Sequence, residues 1–535
     1  MKDQNQANLK WWQKSIVYQI YPRSFADSNG DGIGDIKGII SKLDYLKDLG
    51  INVIWLSPVY ASPNEDNGYD ISDYYSIHPD FGTMDDFDEL IKQAKARGIK
   101  IVMDLVINHT SSEHEWFKKS CEGIEPYKDY YFWSDTWENT PNNWTGFFGE
   151  KCWEYDETRC AYYMHLFAKH QPDLNYHNPL VLEEVKKILT FWLEKGIAGF
   201  RCDVINIIYK DNLNNGKKKL ILTGSEHYLT LDGTHEILKE LGEIIEKYDA
   251  FTVGETVFVD TKTASLLTNP GRKELNMVFG FEHMEVDQII VKWFKKSFNW
   301  QKFIKVIDKW ERDVFWNTIY LENHDQPRSV SRFGSNKYPV ESAKLLATFL
   351  LTAKGTPFIF EGEEIGMTNF DYNSMEDIKD VESKNIYNLL TSLHFPKKLR
   401  WKMIKRTSRD NARTPMQWNS LENAGFSTGS PWLKVNDNYN EINVSASEQN
   451  AFSVLNCYRN LISFRSKSED LLAGDYKLLL NNKHIAAYKR GNLIIILNHS
   501  DKKCKTDFKG NLIFSTYDRK DFDGSFDPWE AVIIK

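Results

Sequence analysis

The chain has 535 residues, of which 41% are hydrophobic, and a formal net charge of −8. This length exceeds what one small core can organise, so we expect a large domain accompanied by smaller ones. The negative charge, with both signs interspersed, argues against a nucleic-acid partner and against binding to an anionic membrane.

The sequence predicts neither secretion nor membrane insertion. Residues 1–6 lack the apolar core of a signal peptide. The longest apolar run, residues 345–360, is interrupted by Lys, Gly and Pro and predicts a helix, a turn and a strand. The six cysteines include no Cys-x-x-Cys pair, which indicates reduced thiols in a cytoplasmic protein. Cys152 and Cys160 could approach each other, but nothing demands a bridge.

Strand-like runs alternate with amphipathic helical stretches along most of the chain. The predicted strands are residues 16–20, 52–56, 100–105, 197–202, 251–254, 277–281, 318–321 and 357–360, and the helices between them include 36–49, 84–97, 181–195 and 234–247. Eight βα units with right-handed crossovers favour an α/β fold, the TIM (β/α)8 barrel. An open doubly wound sheet is the alternative, but it requires a glycine-rich turn after the first strand, where the chain reads YPRS.

Two segments interrupt this alternation. Residues 108–172 are rich in aromatic residues, Gly and Asn, and are too long for an ordinary βα loop, so they predict a small inserted domain. Residues 369–446 form a second, irregular insert. After a helix at 452–467, short alternating strands predict a C-terminal antiparallel β-sandwich. The predicted domains are the barrel (1–107 and 173–468), the insert (108–172) and the C-terminal domain (469–535).

Three acidic residues, Asp203, Glu255 and Asp325, end separate predicted strands. Barrel active sites lie at the carboxyl ends of the strands, so we expect the three to converge on one pocket. Cleavage of a glycosidic bond requires one protonated acid and one carboxylate. A single strand-end acid is more often a cap or a surface charge, but three at matching ends favour catalysis.

The neighbours of these acids predict different roles. Arg201 lies two residues before Asp203 on the same strand face, so it should pair with Asp203 and keep it ionised as a nucleophile. Glu255 has no basic neighbour in sequence, and the two ionised aspartates should raise its pKa, which suits an acid/base. Asp325, beside His324, should bind substrate hydroxyls.

Four segments resemble the ordered signature regions of the α-amylase superfamily of retaining α-glycosidases. They read DLVINH (104–109), GFRCDVIN (199–206), TVGE (252–255) and ENHD (322–325). The segments QPDLN (171–175), GTPFIFEG (355–362) and RDNARTP (409–415) resemble the branch of oligo-1,6-glucosidases, α-glucosidases, trehalose-6-phosphate hydrolases and sucrose isomerases. The similarity covers nearly the whole chain.

The resemblance implies Asp203 as nucleophile, Glu255 as acid/base and Asp325 as transition-state stabiliser. It further implies a substrate pocket that holds the non-reducing glucose through Asp66 and Tyr69, with the remaining lining formed by His109, Phe148, Phe167, Arg201, His324 and Arg413. Val204 resembles members acting on α-1,6 linkages, because relatives that prefer α-1,4 bonds usually carry Ala or Thr there. An ordinary strand-end valine is the alternative.

The chain departs from the usual residues of this branch. Residues 256–259 read TVFV where close relatives usually have MPGV, at the place expected for the leaving sugar. Glu361 replaces a usual Gln and Cys202 a usual Met. The charged RLDRD motif of sucrose isomerases is absent between residues 277 and 316, which argues against isomerisation.

Residues 27–35 have the spacing of a calcium-binding loop. Oxygen donors at positions one, three, five, seven and nine belong to Asp27, Asn29, Asp31, Ile33 (through its carbonyl) and Asp35. Position twelve is Gly38, so the closing Glu is missing, and a turn without an ion is the alternative. Relatives with this loop hold a structural ion, so the resemblance implies Ca²⁺, with Mg²⁺ as the alternative.

These observations predict a cytoplasmic, exo-acting α-glucosidase of the oligo-1,6-glucosidase type, a monomer or weak homo-oligomer that cleaves small oligosaccharides with retention. Enzymatic alternatives are a glucosidase preferring α-1,4 or sucrose-type linkages and a trehalose-6-phosphate hydrolase. The three lysines at 217–219 could bind the phosphate group of a phosphorylated disaccharide. A solvent-exposed loop is the better interpretation of so short a basic segment. A catalytically silent transporter subunit is the non-enzymatic alternative, and it would carry a membrane helix and an incomplete set of acids.

Overall fold

The computed structural model describes residues 9–135, 140–219 and 221–535. Its central element is a sheet of eight parallel strands, which in chain order are Val17–Ile20, Val53–Leu56, Lys100–Leu105, Gly199–Cys202, Phe251–Glu255, Met277–Phe279, Thr318–Ile319 and Thr356–Phe360. The first six strands lie side by side in chain order, the first also pairs with the eighth, and the eighth pairs with the seventh. The sheet therefore ends at the sixth and seventh strands, and this order is that of a nearly closed barrel and not of a doubly wound sheet. The predicted barrel and all eight of its strands are confirmed.

Helices connect these strands, and their ends follow from the local sequence. The longest, Pro179–Lys195, begins at Asn178, whose side chain accepts the N–H of Leu180, and ends at Gly196 in the left-handed conformation. The other helices before the eighth strand include Ile36–Ser41, Leu43–Leu49, Met84–Ala96, Asp232–Lys247, Thr261–Leu267, Trp300–Asp313, Ser329–Phe333 and Pro339–Thr352. The predicted helix 36–49 is thus divided at Lys42.

The chain folds into two compact units. Of the described residues, the first unit holds those up to Ile54 with Gln93–Ile99 and Glu282–Lys535, and the second holds Trp55–Lys92 and Lys100–Phe281. Within the second unit, the segment predicted as an inserted domain contains the helix Glu115–Cys121 and a three-stranded antiparallel sheet made of Trp133–Ser134, Trp153–Asp156 and Ala161–Met164. The exact domain boundaries stay a prediction.

The C-terminal part of the first unit is antiparallel, as predicted. Five strands form one sheet and two short strands a second: Tyr476–Asn481, Ile485–Arg490, Leu493–Asn498, Leu512–Ser515 and Ala531–Ile534, and Cys504–Lys505 with Ser525–Phe526. Ile496 and Val532 of the larger sheet pack in one apolar cluster with Phe526 of the smaller, so the core of this domain lies between them.

The insert predicted to be irregular, residues 369–446, contains the helices Val381–Ser392 and Lys397–Thr407. That prediction is wrong because the charged residues of the second helix hide its apolar positions. Met403 and Ile404 are nevertheless buried, in a cluster with Leu390 of the first helix.

Two further expectations concern membranes and thiols. Within residues 9–135, 140–219 and 221–535, no helix combines the length and the apolar character that crossing a bilayer requires. All six cysteines are free, and Cys152 is buried while Cys160 is exposed, so no bridge joins them.

Candidate active site

The fourth barrel strand carries the basic residue around which the acids of the second unit gather. Gly199 opens this strand, and a Cβ there would lie 2.0 Å from the carbonyl oxygen of Phe251, so glycine permits the close pairing with the fifth strand. In the register that follows, Arg201 stands between Asp104 of the third strand and Val253 of the fifth.

Arg201 binds three carboxyl groups at once. Its Nη1 donates to Oδ1 of Asp104 at 2.5 Å and to Oδ1 of Asp203 at 2.7 Å. Its Nη2 donates to Oε2 of Glu255. The predicted pairing with Asp203 is confirmed. Glu255 has no basic neighbour in sequence, but the strand pairing brings Arg201 to it across 54 positions of sequence.

Burial dominates the acidity of this cluster. It raises the pKa of Asp203 to about 6, although Arg201 lowers that pKa as predicted, and Asp104 adds to the rise. Burial also raises the pKa of Asp104 to about 6. The net shift of Asp203 is therefore upward, because one guanidinium shared by three carboxyl groups does not offset their removal from water.

The carboxyl groups of Asp203 and Glu255 are also in direct contact. A side-chain hydrogen bond between them lowers the pKa of Asp203. Their side chains are 10% and 17% exposed. The two carboxyl groups thus lie next to each other at the carboxyl ends of two adjacent strands.

Asp104 was not predicted as a site residue, yet it is fully buried at the centre of the cluster. Beyond Arg201, its Oδ2 accepts the indole N–H of Trp55 at 2.9 Å and the hydroxyl of Tyr69 at 3.4 Å. Its place near the end of a predicted strand, like that of the three acids, is the signal that could have found it.

The residues implied to hold the non-reducing glucose lie together in the second unit. Gln171 joins them: its Nε2 donates to Oδ2 of Asp66 and to the carbonyl oxygen of Tyr69, both at 3.3 Å, and lies 3.1 Å from Nε2 of His109. Burial lowers the pKa of His109, which favours the neutral imidazole. Gln171 is a further residue that the predicted set lacks, although its segment was recognised.

Half-buried aromatic rings lie next to this group. Phe167 has its ring centroid 5.2 Å from that of His109 and 6.0 Å from that of Phe148, so the two predicted walls are adjacent. Phe147 stacks on Phe167 at 4.7 Å with the planes 7° apart. The sequence offers no signal that separates Phe147 from Phe148.

Val204 lies in a strained backbone conformation. The fourth strand ends at Cys202, and Val204 has φ 36° and ψ 39°, the left-handed region that branched residues rarely adopt. The backbone of Val204 is therefore not that of an ordinary strand end, and its role in linkage preference stays a prediction. Its side chain is buried in an apolar cluster that includes Trp153 and Met164 and against which Val257 packs.

The unusual segment after Glu255 is held by Asn206. The amide of Asn206 accepts the N–H of Val257 at 3.0 Å and donates to its carbonyl at 2.9 Å. The next residue, Phe258, is left-handed with φ 57° and is 59% exposed. The departure from the usual residues thus exposes an aromatic ring three positions beyond Glu255.

Asp325 lies in the first unit with basic groups around it. Nη2 of Arg413 donates to Oδ1 of Asp325 at 2.6 Å, and its Nε donates to the carbonyl of His324 at 3.0 Å. Arg409 has Nη1 3.6 Å from the same Oδ1. Burial raises the pKa of Asp325, but the charges of His324, Arg409 and Arg413 outweigh it and the net pKa is lowered. Convergence of all three acids stays a prediction.

The loop predicted to bind calcium is organised by its own carboxylates. Asp27 accepts the backbone N–H groups of Gly30 and Gly32, both at 2.8 Å, and Asp35 accepts that of Gly38 at 2.7 Å. In the described part of the chain, no three His, Cys, Asp or Glu side chains gather closely enough to hold a metal ion. Ion binding would therefore also require Asn29 and a carbonyl group, and it stays a prediction.

Comparison with known proteins agrees with this geometry. The family model described as "Alpha amylase, catalytic domain" matches residues 19–474. An oligo-1,6-glucosidase from Parageobacillus thermoglucosidasius is 48% identical over 555 residues, covering 98% of this chain and 99% of the relative.

Solved structures give the same result. A trehalose-6-phosphate hydrolase from Bacillus licheniformis has a TM-score of 0.93 at 42% identity, and an isomaltulose synthase from Klebsiella sp. LX3 has a TM-score of 0.95 at 39% identity. Each match covers 98% of this chain and 99% of the other. As its four signature segments predict, the chain belongs to the α-amylase family and is a glycoside hydrolase.

Proposed function

We propose that this enzyme is an exo-acting retaining α-glucosidase that removes terminal α-1,6-linked glucose from isomalto-oligosaccharides and related disaccharides. The observation that carries the stereochemistry is the contact between the carboxyl groups of Asp203 and Glu255. Inverting enzymes keep their two carboxyl groups about 6.5–9.5 Å apart to admit a water molecule, whereas retaining enzymes hold them closer.

The reaction proceeds by double displacement. Glu255 donates its proton to the glycosidic oxygen while Asp203 attacks the anomeric carbon; the bond to the leaving sugar breaks and a β-linked glucosyl-enzyme forms. Glu255, now a carboxylate, takes a proton from water, the water oxygen attacks the same carbon, and the bond to Asp203 breaks. Arg201 contacts both carboxyl groups and orients them. The role of Asp325 is the one that the family resemblance implies.

The stereochemical test follows freshly released glucose by NMR. Retention requires the α-anomer, and release of the β-anomer would refute the mechanism. The variant Asp203→Asn should lose turnover while keeping its circular dichroism spectrum, because the nucleophile is removed without a change of volume. Normal turnover in that variant would refute the assignment of Asp203.

The α-1,6 preference is supported by Val204 and by the similarity to oligo-1,6-glucosidases. The competing substrates are maltose, sucrose, trehalose and trehalose 6-phosphate, the last because a trehalose-6-phosphate hydrolase is also among the relatives. Values of kcat/KM for these sugars and for isomaltose, with Asp203→Asn as the blank, decide between them. A value for any competitor above that for isomaltose would overturn the preference.

We also propose that Ca²⁺, or Mg²⁺ in its place, braces the loop through Asp27, Asn29, Asp31, Ile33 and Asp35. The donor spacing supports this proposal. A structural ion should raise the Tm in added Ca²⁺ relative to a chelator, and Asp31→Asn should reduce the difference. Equal Tm values under both conditions would reject the ion.

A cytoplasmic location is proposed because disulfides are rare in the cytosol and all six cysteines are free. The proposed assembly is a monomer or weak homo-oligomer. Sedimentation across a range of protein concentrations checks the assembly, and a stable oligomer at all concentrations would contradict it.

A further inference from the structure

Glu361 is a fully buried acidic residue that the mechanism does not use. It follows the eighth barrel strand, and its backbone N–H donates to the carbonyl of Gln19 at 3.1 Å. Its side chain reaches the same stretch of chain: Oε2 accepts the backbone N–H of Tyr21 at 2.9 Å. Glu361 therefore holds the segment that follows the first strand through two hydrogen bonds, one from its backbone N–H and one to its side chain.

The other carboxyl oxygen of Glu361, Oε1, is buried and has no hydrogen-bond partner. An ionised carboxylate that accepts one neutral N–H and is otherwise cut off from water is costly. Burial accordingly raises the pKa of Glu361 well above its usual range.

The groups that face Glu361 do not supply a free positive charge. Arg328 lowers the pKa of Glu361 in part, but its Nη1 also forms an ion pair with Glu322 at 3.0 Å. Glu364 and Tyr18 interact with it electrostatically, and the backbone N–H that it accepts belongs to Tyr21, so these neighbours are one acid and two phenols. Glu364 raises the pKa of Glu361 further.

The segment fixed by Glu361 supports a residue of the substrate pocket. The ring of Tyr21 stacks on that of His324, with centroids 6.1 Å apart and planes 11° apart, and Arg413 lies 5.5 Å from the Tyr21 centroid. Nε2 of Gln19 lies 2.8 Å from Nδ1 of His324. Two contacts to the imidazole thus come from the segment that Glu361 anchors.

We propose that Glu361 is a positioning residue that works as a neutral carboxylic acid and holds the imidazole of His324 in place through Tyr21 and Gln19. His324 in turn lies 3.4 Å from Oδ2 of Asp325. A protonated carboxyl group is close in shape to the glutamine side chain that the branch usually carries here, and like it offers both a donor and an acceptor, although it has one donor hydrogen and glutamine has two. Ionisation at alkaline pH places an unpaired charge in the interior and loosens this support.

The first test is thermal unfolding of the wild type and of Glu361→Gln from pH 5 to pH 9, which needs no substrate. Because the pKa of Glu361 is higher in the folded than in the unfolded protein, wild-type stability falls as pH rises above the ordinary Glu value of about 4.3 towards the folded-state pKa. We expect nearly equal Tm values at pH 5 and a Glu361→Gln value about 3 °C higher at pH 8. A Tm difference independent of pH would overturn the proposal.

The second test separates positioning from stability, and it rests on the proposed function because it uses glucose release from isomaltose. Glu361→Leu, which loses the bond to Tyr21, should lower kcat about tenfold with little change in KM. Glu361→Gln should restore kcat and should lose less activity than the wild type above pH 8. Unchanged kcat in Glu361→Leu, or identical alkaline limbs in the wild type and Glu361→Gln, would overturn the proposal.

Glu311 provides the matched control. It is also buried, with Oε2 unpartnered and with its pKa raised by burial to about 7, but it accepts the N–H of Lys354, which is not a site residue. Glu311→Gln should reproduce the pH-dependent gain in Tm and leave the pH profile of kcat unchanged. A profile altered as in Glu361→Gln would show that stability alone explains the effect. If no variant cleaves isomaltose, the proposed function fails while the Tm result still stands.

Discussion

The buried acids Asp203 and Asp325 lie in different compact units, and they differ in the balance of positive and negative groups around them. In the second unit, Asp104, Asp203 and Glu255 all contact the single guanidinium of Arg201. There, burial raises the pKa of both aspartates to about 6.

In the first unit the neighbouring cations outweigh burial. Arg413 donates to Asp325 at 2.6 Å, and Arg409, which also pairs with Asp380 at 2.9 Å, lies 3.6 Å from it; the pKa of Asp325 is lowered despite burial. The residue type is the same as that of Asp203, so the difference teaches that the balance of neighbouring charges, and not burial alone, sets the acidity. A carboxyl group that must exchange protons or form a covalent bond has its pKa kept near neutral pH. A carboxyl group that must stay charged lies beside arginine.

Arg201→Lys tests the shared guanidinium and should have the largest effect. Lysine keeps the charge but cannot bind three carboxyl groups in fixed directions, so we expect kcat on isomaltose to fall by about 10²–10³-fold. Steady-state kinetics with the purified variant measures this loss. The matched variant Arg413→Lys leaves Arg409 near Asp325, and its loss should be only about tenfold. Equal losses of kcat in Arg201→Lys and Arg413→Lys would show that the two arginines do not differ in importance, which contradicts the comparison.

The pH dependence of kcat/KM provides the second test. Asp203 attacks only when ionised, and its pKa of about 6 means that the protonated, inactive form accumulates as pH falls. We therefore expect kcat/KM to decline below pH 6 by about tenfold for each unit. Because Asp203, Asp104 and Glu255 interact, the limb reports the cluster and not one residue. A decline of kcat/KM that begins only near pH 4 would show that Arg201 lowers the pKa of Asp203 more than burial raises it.

Val204→Thr tests the neighbour of Asp203 and should have the smallest effect. The hydroxyl group disturbs the apolar cluster around residue 204, and a change on this scale is worth about 1–3 kcal/mol. We expect the ratio of kcat/KM for isomaltose to that for maltose to fall by about five- to tenfold. Val340→Thr, at a valine that is 45% exposed, should leave the ratio unchanged. If Val204→Thr leaves the isomaltose-to-maltose ratio unchanged, Val204 has no role in linkage preference.

The strands of the barrel were predictable because each is a short apolar run next to a turn, and their alternation with helices specifies the topology. The insert at 369–446 was not, since Lys397–Thr407 carries so many basic residues that its buried positions do not stand out. A sequence pattern predicts an element when its buried positions are mostly apolar residues. It fails when a helix is held in place by a few apolar residues among many charged ones.

For the site, sequence spacing predicted the pair of Arg201 with Asp203 but not the balance of charges. The contact of Arg201 with Glu255 depends on strand register, and the effect of burial on Asp203 depends on all surrounding atoms. Asp104 and Gln171 were missed because their roles are defined by partners distant in sequence. Family resemblance supplied the identities of the acids, and only the folded chain supplied their electrostatics.

The backbone turn at Val204 is strained, and burial of its side chain offsets the strain. A left-handed conformation costs an L-residue about 1–2 kcal/mol, which glycine would relieve. Burial of the valine side chain contributes about 1.5–3 kcal/mol, so Val204→Gly would still lower the stability and would empty the apolar wall beside Asp203. Selection for heat resistance and selection for growth on a sugar should therefore both retain a branched side chain at this codon.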